Sequence, residues 1–212
     1  MKGGQSHYFD KNPAAPHDYG SFEVEWEDRR FVFQSDSGVF SRRRLDPGTD
    51  LLVKTALKEL KDQPGHLLDL GTGVGVMAIA LASLRPSLYV TASDINRRAL
   101  DLTRVNARAA GVDHRLTLVE MDGVPRGPFD CIVTNPPIRA GKDVLYRLFR
   151  QAADNLNPDG CVLLVIRVKQ GAASAARELE RSFARVLTVA RGKGYHVLKA
   201  SGSGQGREGR DS

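Results

Sequence analysis

The chain has 212 residues, 41% of them apolar, and a formal net charge of +6. That length suits one domain with a sizeable core and at most a small N-terminal extension. No stretch approaches the roughly 18 uncharged apolar residues of a membrane span, and no apolar segment follows the polar start Met1-Lys2-Gly3-Gly4-Gln5-Ser6, so neither a membrane anchor nor a secretory leader is expected, and a cytoplasmic location is.

Residues 1–20 are rich in Pro, Gly, Asn and Asp and read as irregular. Phe22-Glu23-Val24-Glu25-Trp26 alternates apolar and polar residues, and Phe31-Val32-Phe33 is wholly apolar. With Glu27-Asp28-Arg29-Arg30 between them, the two runs predict a β-hairpin. Residues 1–28 carry a net charge of −4, which leaves +10 on the remainder. A basic body favours an anionic partner, nucleic acid first; the plainer alternative is a basic solvated surface. Ser35-Asp36-Ser37-Gly38 reads as a loop. A helix starts near Gly48-Thr49-Asp50, carries the stripe Leu52, Val53, Ala56, Leu57 and Leu60, and stops at Gln63-Pro64-Gly65.

From there strands and helices alternate. His66 to Leu70 reads as a strand, Val74 to Leu84 as a helix, Leu88 to Ser93 as a strand and Asn96 to Ala110 as a helix ended by Gly111. Arg115 to Val119 and Asp130 to Val133 read as strands. Val144, Leu145, Leu148, Phe149, Ala152 and Leu156 form a helical stripe closed by the turn Asn157-Pro158-Asp159-Gly160. Cys161 to Val168 is a strand, Ala172 to Phe183 a helix, and Val186 to Ala190 with Tyr195 to Leu198 a closing hairpin. This alternation predicts a mainly parallel sheet with helices on both faces and an antiparallel last strand. Cys131 and Cys161 both fall in buried strands and are expected as reduced core thiols. The histidine and cysteine spacings match no metal site, and no metal is expected. Three regions follow: an extension with a hairpin (1–47), the α/β domain (48–200) and a disordered Gly/Ser-rich tail (201–212).

The strand Leu67-Leu68-Asp69-Leu70 ends in Gly71-Thr72-Gly73-Val74-Gly75 before a helix. Glycines there let the chain turn sharply and bring backbone N–H groups close to a ligand. A dinucleotide fingerprint would need Gly or Ala at position 76, where the chain has Val76. G-x-G-x-G suits S-adenosylmethionine, which has no pyrophosphate to cradle; a tight strand–helix turn is the structural alternative. Asp94 closes the next strand and can accept from both ribose hydroxyls, or it can cap a helix, although Asn96 is the better cap. Ile95 would lie against the adenine face. Asp122, in Met121-Asp122-Gly123, could accept from the adenine amine or form an ordinary turn.

Thr134-Asn135-Pro136-Pro137-Ile138 follows an apolar strand some 60 residues later. An exocyclic amine conjugated to a ring is a poor nucleophile. Two acceptors at its N–H groups bias the nitrogen toward a pyramidal, reactive form, and the Asn135 side-chain carbonyl with the Pro136 main-chain carbonyl can supply them. Pro136-Pro137 stiffens the corner and removes competing donors. Positioning of this kind contributes about 7–11 kcal/mol in favourable cases. The expected chemistry is methyl transfer to a planar NH2 group.

With these segments in place, the chain from about Phe31 to Leu198 resembles the ribosomal RNA small-subunit methyltransferase C-like family. The resemblance rests on Asp36-Ser37-Gly38-Val39-Phe40-Ser41, Leu45-Asp46-Pro47-Gly48-Thr49, the Leu68–Gly75 glycine turn, Asn135-Pro136-Pro137-Ile138-Arg139-Ala140-Gly141-Lys142 and Val168-Lys169-Gln170-Gly171. It implies a Rossmann-like class I methyltransferase fold with a seven-stranded sheet, S-adenosylmethionine as donor, and guanine N2 of 16S ribosomal RNA as acceptor. The implied partner is ribosomal RNA or the small ribosomal subunit. Asp69, Gly71, Gly73, Asp94 and Asn135 match its cofactor or catalytic positions. Some relatives carry an aromatic residue after Asn-Pro-Pro that can stack the target base, worth roughly 1–3 kcal/mol. Ile138 offers only an apolar face, so Phe40 is the candidate ring, with a core or hairpin role equally open. Some relatives also hold a second, degenerate methyltransferase domain that helps bind substrate, for which this sequence has no room. RNA contact then falls to Arg139 and Lys142, and to Arg42-Arg43-Arg44 unless that triplet is a solvated loop. Protein glutamine N5 and adenine N6 are alternative acceptors with the same chemistry. A catalytically silent RNA-binding assembly factor is the alternative of another class.

Overall fold

The computed structural model describes residues 17–37, 39, 44–60 and 65–203, apart from the side chains of Arg139 and Ser203. Strands β1 (Gly20–Trp26) and β2 (Arg29–Ser35) pair antiparallel from Gly20↔Ser35 to Trp26↔Arg29. Their turn is only Glu27-Asp28, both at positive φ (47° and 59°). That conformation matches the twist of the flanking strands, so Arg29 and Arg30 join the strand rather than the loop. The inward face buries Phe22, Trp26, Phe31 and Phe33, with the Phe22 and Phe33 rings 5.6 Å apart.

Helix α1 (Pro47–Glu59) begins at Asp46, whose carboxylate caps the Thr49 N–H at 3.0 Å, and proline occupies its first turn. The Trp26 indole N–H donates to Asp50 of this helix at 3.0 Å, tying the hairpin to the body.

The main sheet has seven strands: β3 (Gly65–Leu70), β4 (Leu88–Asp94), β5 (Leu116–Glu120), β6 (Phe129–Thr134), β7 (Leu156–Arg167), β8 (Phe183–Gly192) and β9 (Tyr195–Ser203). Their order is β5-β4-β3-β6-β7-β9-β8, parallel except that β9 runs antiparallel to both neighbours. Helices α1, α2 (Val76–Leu84) and α3 (Arg97–Ala110) cover one face. Helices α4 (Lys142–Asp154) and α5 (Ala172–Leu179) cover the other. Alternate residues divide between the two cores: Leu163 and Val165 face the first, Val162, Leu164 and Ile166 the second. The sheet is therefore buried on both sides, as the apolar runs predict.

Other segments also differ from the sequence reading. Asn157–Gly160 forms no turn before β7; it lies within the strand, as an irregularity between the pairs Phe129↔Leu156 and Cys131↔Cys161. Helix α5 stops at Leu179, and Phe183 opens β8. Both residues are buried and four apart, the spacing a helix face would also give. Strand β9 continues through residues 201–203, which pair with β7 and β8 instead of starting a disordered tail; residues 204–212 lie outside the described residues. Cys131 and Cys161 are both free, on adjacent strands, with their Sγ atoms 3.9 Å apart. Among the described residues no helix is long and apolar enough to cross a membrane, and no cluster of metal-ligating side chains occurs.

The chain builds outward from β3 to β5, then crosses back to place β6 on the other side of β3. Open α/β sheets bind ligands at such a reversal, beyond the carboxyl ends of the strands.

Candidate active site

At the reversal, Leu70 pairs with Thr134. The Thr134 hydroxyl donates to the Leu70 carbonyl at 2.8 Å, locking the two strand ends together. One residue further along each strand lie Gly71 and Asn135. The two motifs, some 60 residues apart in the chain, are thus neighbours in space. They face a cleft of about 690 Å³ across the ends of β3, β4, β6 and β7.

Gly71, Thr72 and Gly73 line this cleft, and so do Asp94 and Ile95 at the end of β4. Asp122, Asn135, Pro136, Pro137 and Ile138 complete the set of sequence candidates that the fold brings together there. Asp69 and Gly75 lie behind the wall. Lys142 is exposed at the start of α4, outside the cleft lining. Phe40, Arg42 and Arg43 lie outside the described residues, as does the Arg139 side chain.

The glycine turn works differently from the expectation that its N–H groups serve a ligand. Gly71 and Thr72 donate to the Ser93 carbonyl, Gly73 to Asp94 Oδ2 at 2.9 Å, and Gly75 to the Thr72 carbonyl. These donors already hold the loop against β4. What the turn offers is a bare surface. Gly71 and Gly73 have φ of +75° and +57°, and a Cβ on either would meet nothing within 4 Å among the described residues. Gly75 differs: its Cβ would lie 2.8 Å from Thr103 Cγ2, where α3 packs on the loop.

Asp69 anchors the turn from below. It is fully buried, and its Oδ2 accepts from the Thr72 hydroxyl (2.7 Å) and the Ala78 N–H (2.9 Å), while Oδ1 has no partner among the described residues. Burial pushes this carboxyl up to about 7, against the pull of its two donors. Asp94 is also pushed upward by burial, opposed by the N–H groups of Asn96 and Gly73. Asn96 caps α3 by accepting from the Arg98 N–H at 3.0 Å, as expected. Asp122 is ion-paired at 2.7 Å with Arg147, which also lines the cleft.

Beyond Asn135 the cleft continues along residues to which the sequence reading gave no role: Asp46, Thr49, Arg167, Gln170 and Tyr195. The Asn135 Nδ2 donates to Asp46 Oδ2 (3.2 Å) and Thr49 Oγ1 (3.0 Å). The Tyr195 hydroxyl donates to Asp46 Oδ1 (3.2 Å) and accepts from Arg167 Nε (2.9 Å). The Arg167 guanidinium lies over the Tyr195 ring, 5.1 Å from its centre. The available sequence signals were the Asp46-Pro47 helix start and the Gln170 segment, and neither indicated a cleft. At the corner itself, Pro137 (φ −75°, ψ 77°) forms an inverse γ-turn in which the Ile138 N–H donates to the Pro136 carbonyl at 2.9 Å. One lone pair of the second expected acceptor is therefore occupied and one remains.

Comparison with known proteins bears on the family and the fold. The sequence pattern of the family described as "Methyltransferase small domain" matches residues 30–199. The uncharacterized protein YbxB of Bacillus subtilis (strain 168) is 35% identical over 198 residues, 92% of this chain and 97% of the relative. Ribosomal RNA small subunit methyltransferase C of Pseudomonas aeruginosa (strain LESB58) is 35% identical over 169 residues, 77% of this chain and 48% of the relative. Among solved structures, the T. thermophilus 16S rRNA N2 G1207 methyltransferase (RsmC), in complex with AdoMet and guanosine, superposes with a TM-score of 0.77 at 25% identity, covering 90% of this chain and 52% of that one. The chain thus spans nearly all of YbxB and about half the length of the two rRNA methyltransferases.

Proposed function

The chain belongs to the methyltransferase small domain family, and from that premise we propose that it methylates the exocyclic amine of a nucleobase in ribosomal RNA, with guanine N2 of the small-subunit 16S RNA as acceptor. S-adenosylmethionine is the methyl donor. The cleft fits it: the bare surface over Gly71 and Gly73 leaves room for a ligand pressed against backbone, and a half-buried carboxylate stands at the end of β4. Bound there, S-adenosylmethionine supplies a methyl group on an electrophilic sulfonium.

The chain's own residues hold and orient. Asp94 accepts from the ribose hydroxyls, and Ile95 flanks the adenine. Asp122 keeps one oxygen outside its Arg147 contact for the adenine amine. Asp69 and Thr72 act on the turn itself, keeping Gly71 and Gly73 in their positive-φ conformations. On the acceptor side, the Asn135 carbonyl oxygen takes one N–H of the target amine, and the remaining lone pair of the Pro136 carbonyl takes the other. Ile138 packs on the ring edge. This work is positioning, and no side chain needs to remove a proton before the nitrogen reacts.

The carrying observation is Asn135. Both protons of its amide are occupied by Asp46 and Thr49, and it sits one residue beyond a strand register that joins it to the glycine turn. RNA as acceptor is supported by the +6 charge and by relatives named for small-subunit rRNA methylation. Lys142 and Arg139, next to the Asn-Pro-Pro-Ile corner in sequence, would supply the phosphate contacts. The test is incubation with methyl-labelled S-adenosylmethionine and separated ribosomal RNAs, followed by nucleoside analysis. N2-methylguanosine from small-subunit RNA is the expected product. Label confined to adenine N6 or to protein glutamine would overturn the acceptor, and no transfer to any pool would point to a silent assembly factor.

A further inference from the structure

We propose that Asp46 and Thr49 are positioning residues that clamp the Asn135 amide, so that its carbonyl oxygen and not its NH2 group meets the acceptor amine; this rests on the role given to Asn135 above. An asparagine amide is nearly symmetric in shape, and either end could face the cleft. The surrounding network has only one direction. Arg167 can only donate, so the Tyr195 hydroxyl accepts from it and turns its own proton to Asp46 Oδ1. Both oxygens of Asp46 act as acceptors, Oδ1 from Tyr195 and Oδ2 from the Thr49 N–H, so Asn135 must present Nδ2 to it. Thr49 Oγ1 receives the second Nδ2 proton at 3.0 Å. Both donors are then satisfied, and Oδ1 is the end left to the cleft. A flipped amide would face its oxygen to the Asp46 carboxylate and its protons to the protons of the target amine.

The clamp is assembled from four distant segments, and the packing is shaped for it. A Cβ on Gly48 would lie 2.7 Å from Tyr195 Cε1 and 2.8 Å from Asp46 Oδ2, so only glycine lets the tyrosine reach Asp46. Asp46 also caps α1, and a purely structural role for it must be separated from the clamp. Thr49→Val removes the acceptor hydroxyl at nearly constant shape, and Thr49→Ser restores it. Asp46→Ser keeps a capping oxygen for the Thr49 N–H but lacks the second oxygen and the reach.

Turnover on RNA should fall about tenfold in Thr49→Val and in Asp46→Ser, the effect of losing one oriented hydrogen bond. S-adenosylmethionine affinity should stay unchanged, and Thr49→Ser should behave as wild type. Added to Asn135→Ala, Thr49→Val should cause no further loss. A Thr49→Ser enzyme as impaired as Thr49→Val, or a further loss on the Asn135→Ala background, would overturn the clamp. A second readout needs no activity. With ¹⁵N-asparagine labelling, the two Asn135 side-chain protons should exchange slowly with water in the wild type and quickly in the Asp46→Ser, Thr49→Val double variant; fast exchange already in the wild type would contradict the proposal. Full turnover in Asn135→Ala would instead remove the catalytic reading, with the orientation of the amide still decided by the exchange rates.

Discussion

At the scale of single residues, the glycines of one turn separate into two kinds. A Cβ on Gly73 would meet none of the described residues within 4 Å, whereas one on Gly75 would meet Thr103 and Ile79 within 3 Å. Gly73→Ala should therefore weaken S-adenosylmethionine binding about tenfold or more, with a stability loss of only about 1–2 kcal/mol from the positive φ. Gly75→Ala should lose more stability, about 2–4 kcal/mol, because overpacking adds to the same strain. Isothermal titration and thermal melts on the pair test this, and equal effects of both variants on binding would contradict it. Asp69 gives a pH signature. Its folded-state value near 7 lies above the ordinary 3.8, so the folded protein holds a proton that the unfolded chain has released. The associated stability is full below pH 3.8 and is lost as pH rises to 7. Asp69→Asn keeps an acceptor for Thr72 and Ala78 and removes the titration. Denaturant unfolding from pH 4 to 7 should show the wild type losing about 3–4 kcal/mol more than the variant, and parallel curves would refute this reading. The sequence marked Asp94, Asn96 and Asn135 as candidates because each follows a strand beside a recognisable motif. It carried Asp46 and Thr49 only within a segment of the family resemblance, and gave neither them nor Tyr195 a place in the site. Their role comes from contacts across 86 to 149 residues, and each has an ordinary local use as cap, helix or strand residue.

Among the elements, the hairpin β1–β2 is coupled to the glycine turn through a side chain of α3. Asn106 of α3 exchanges hydrogen bonds with the backbone of Gln34 (2.8 and 3.0 Å) and donates to the Val74 carbonyl inside the glycine turn (2.9 Å). It is buried and carries β2, α3 and the turn together. Asn106→Leu should lower unfolding free energy by about 2–4 kcal/mol, since it leaves buried backbone groups of two elements without partners. It should also weaken S-adenosylmethionine binding through Val74, and a stable variant with wild-type affinity would contradict the coupling. Near the hairpin, Asp36 pairs with Arg98 of α3 and His17, with the carboxyl held below its usual range despite burial. The hairpin itself was readable from alternation, and the α/β succession from apolar runs and glycine or proline stops. The misreadings were at boundaries. Leu179 and Phe183 share a helical spacing but belong to a helix and a strand. Residues 157–160 have turn composition yet are absorbed into β7, in the irregular stretch between its pairs at Leu156 and Cys161.

For the molecule as a whole, strand order creates the site. Reversal of the sheet at β3 brings a turn at residue 71 beside an amide at residue 135, and β9 returns antiparallel to carry Tyr195 against Asp46. The sequence announced the parallel body and the antiparallel last strand. The neighbours of β9 depend on non-local pairing and were not stated in it. Because the cleft is shared by four strands, its ligand should stabilise the entire domain. At S-adenosylmethionine a hundredfold above its dissociation constant, stability should rise by about 2.7 kcal/mol and the melting temperature by about 5–10 °C. A thermal melt that does not move would argue against a cofactor cleft at this position. The most direct check of the central claim, that Asn135 holds the acceptor amine beside the cofactor, is single-turnover methyl transfer to small-subunit RNA by the wild type and Asn135→Ala, with cofactor affinity measured on the same preparations. The account expects transfer to fall about a hundredfold or more while the S-adenosylmethionine dissociation constant changes less than about threefold. Undiminished transfer by the variant, or loss explained wholly by weaker cofactor binding, would contradict it.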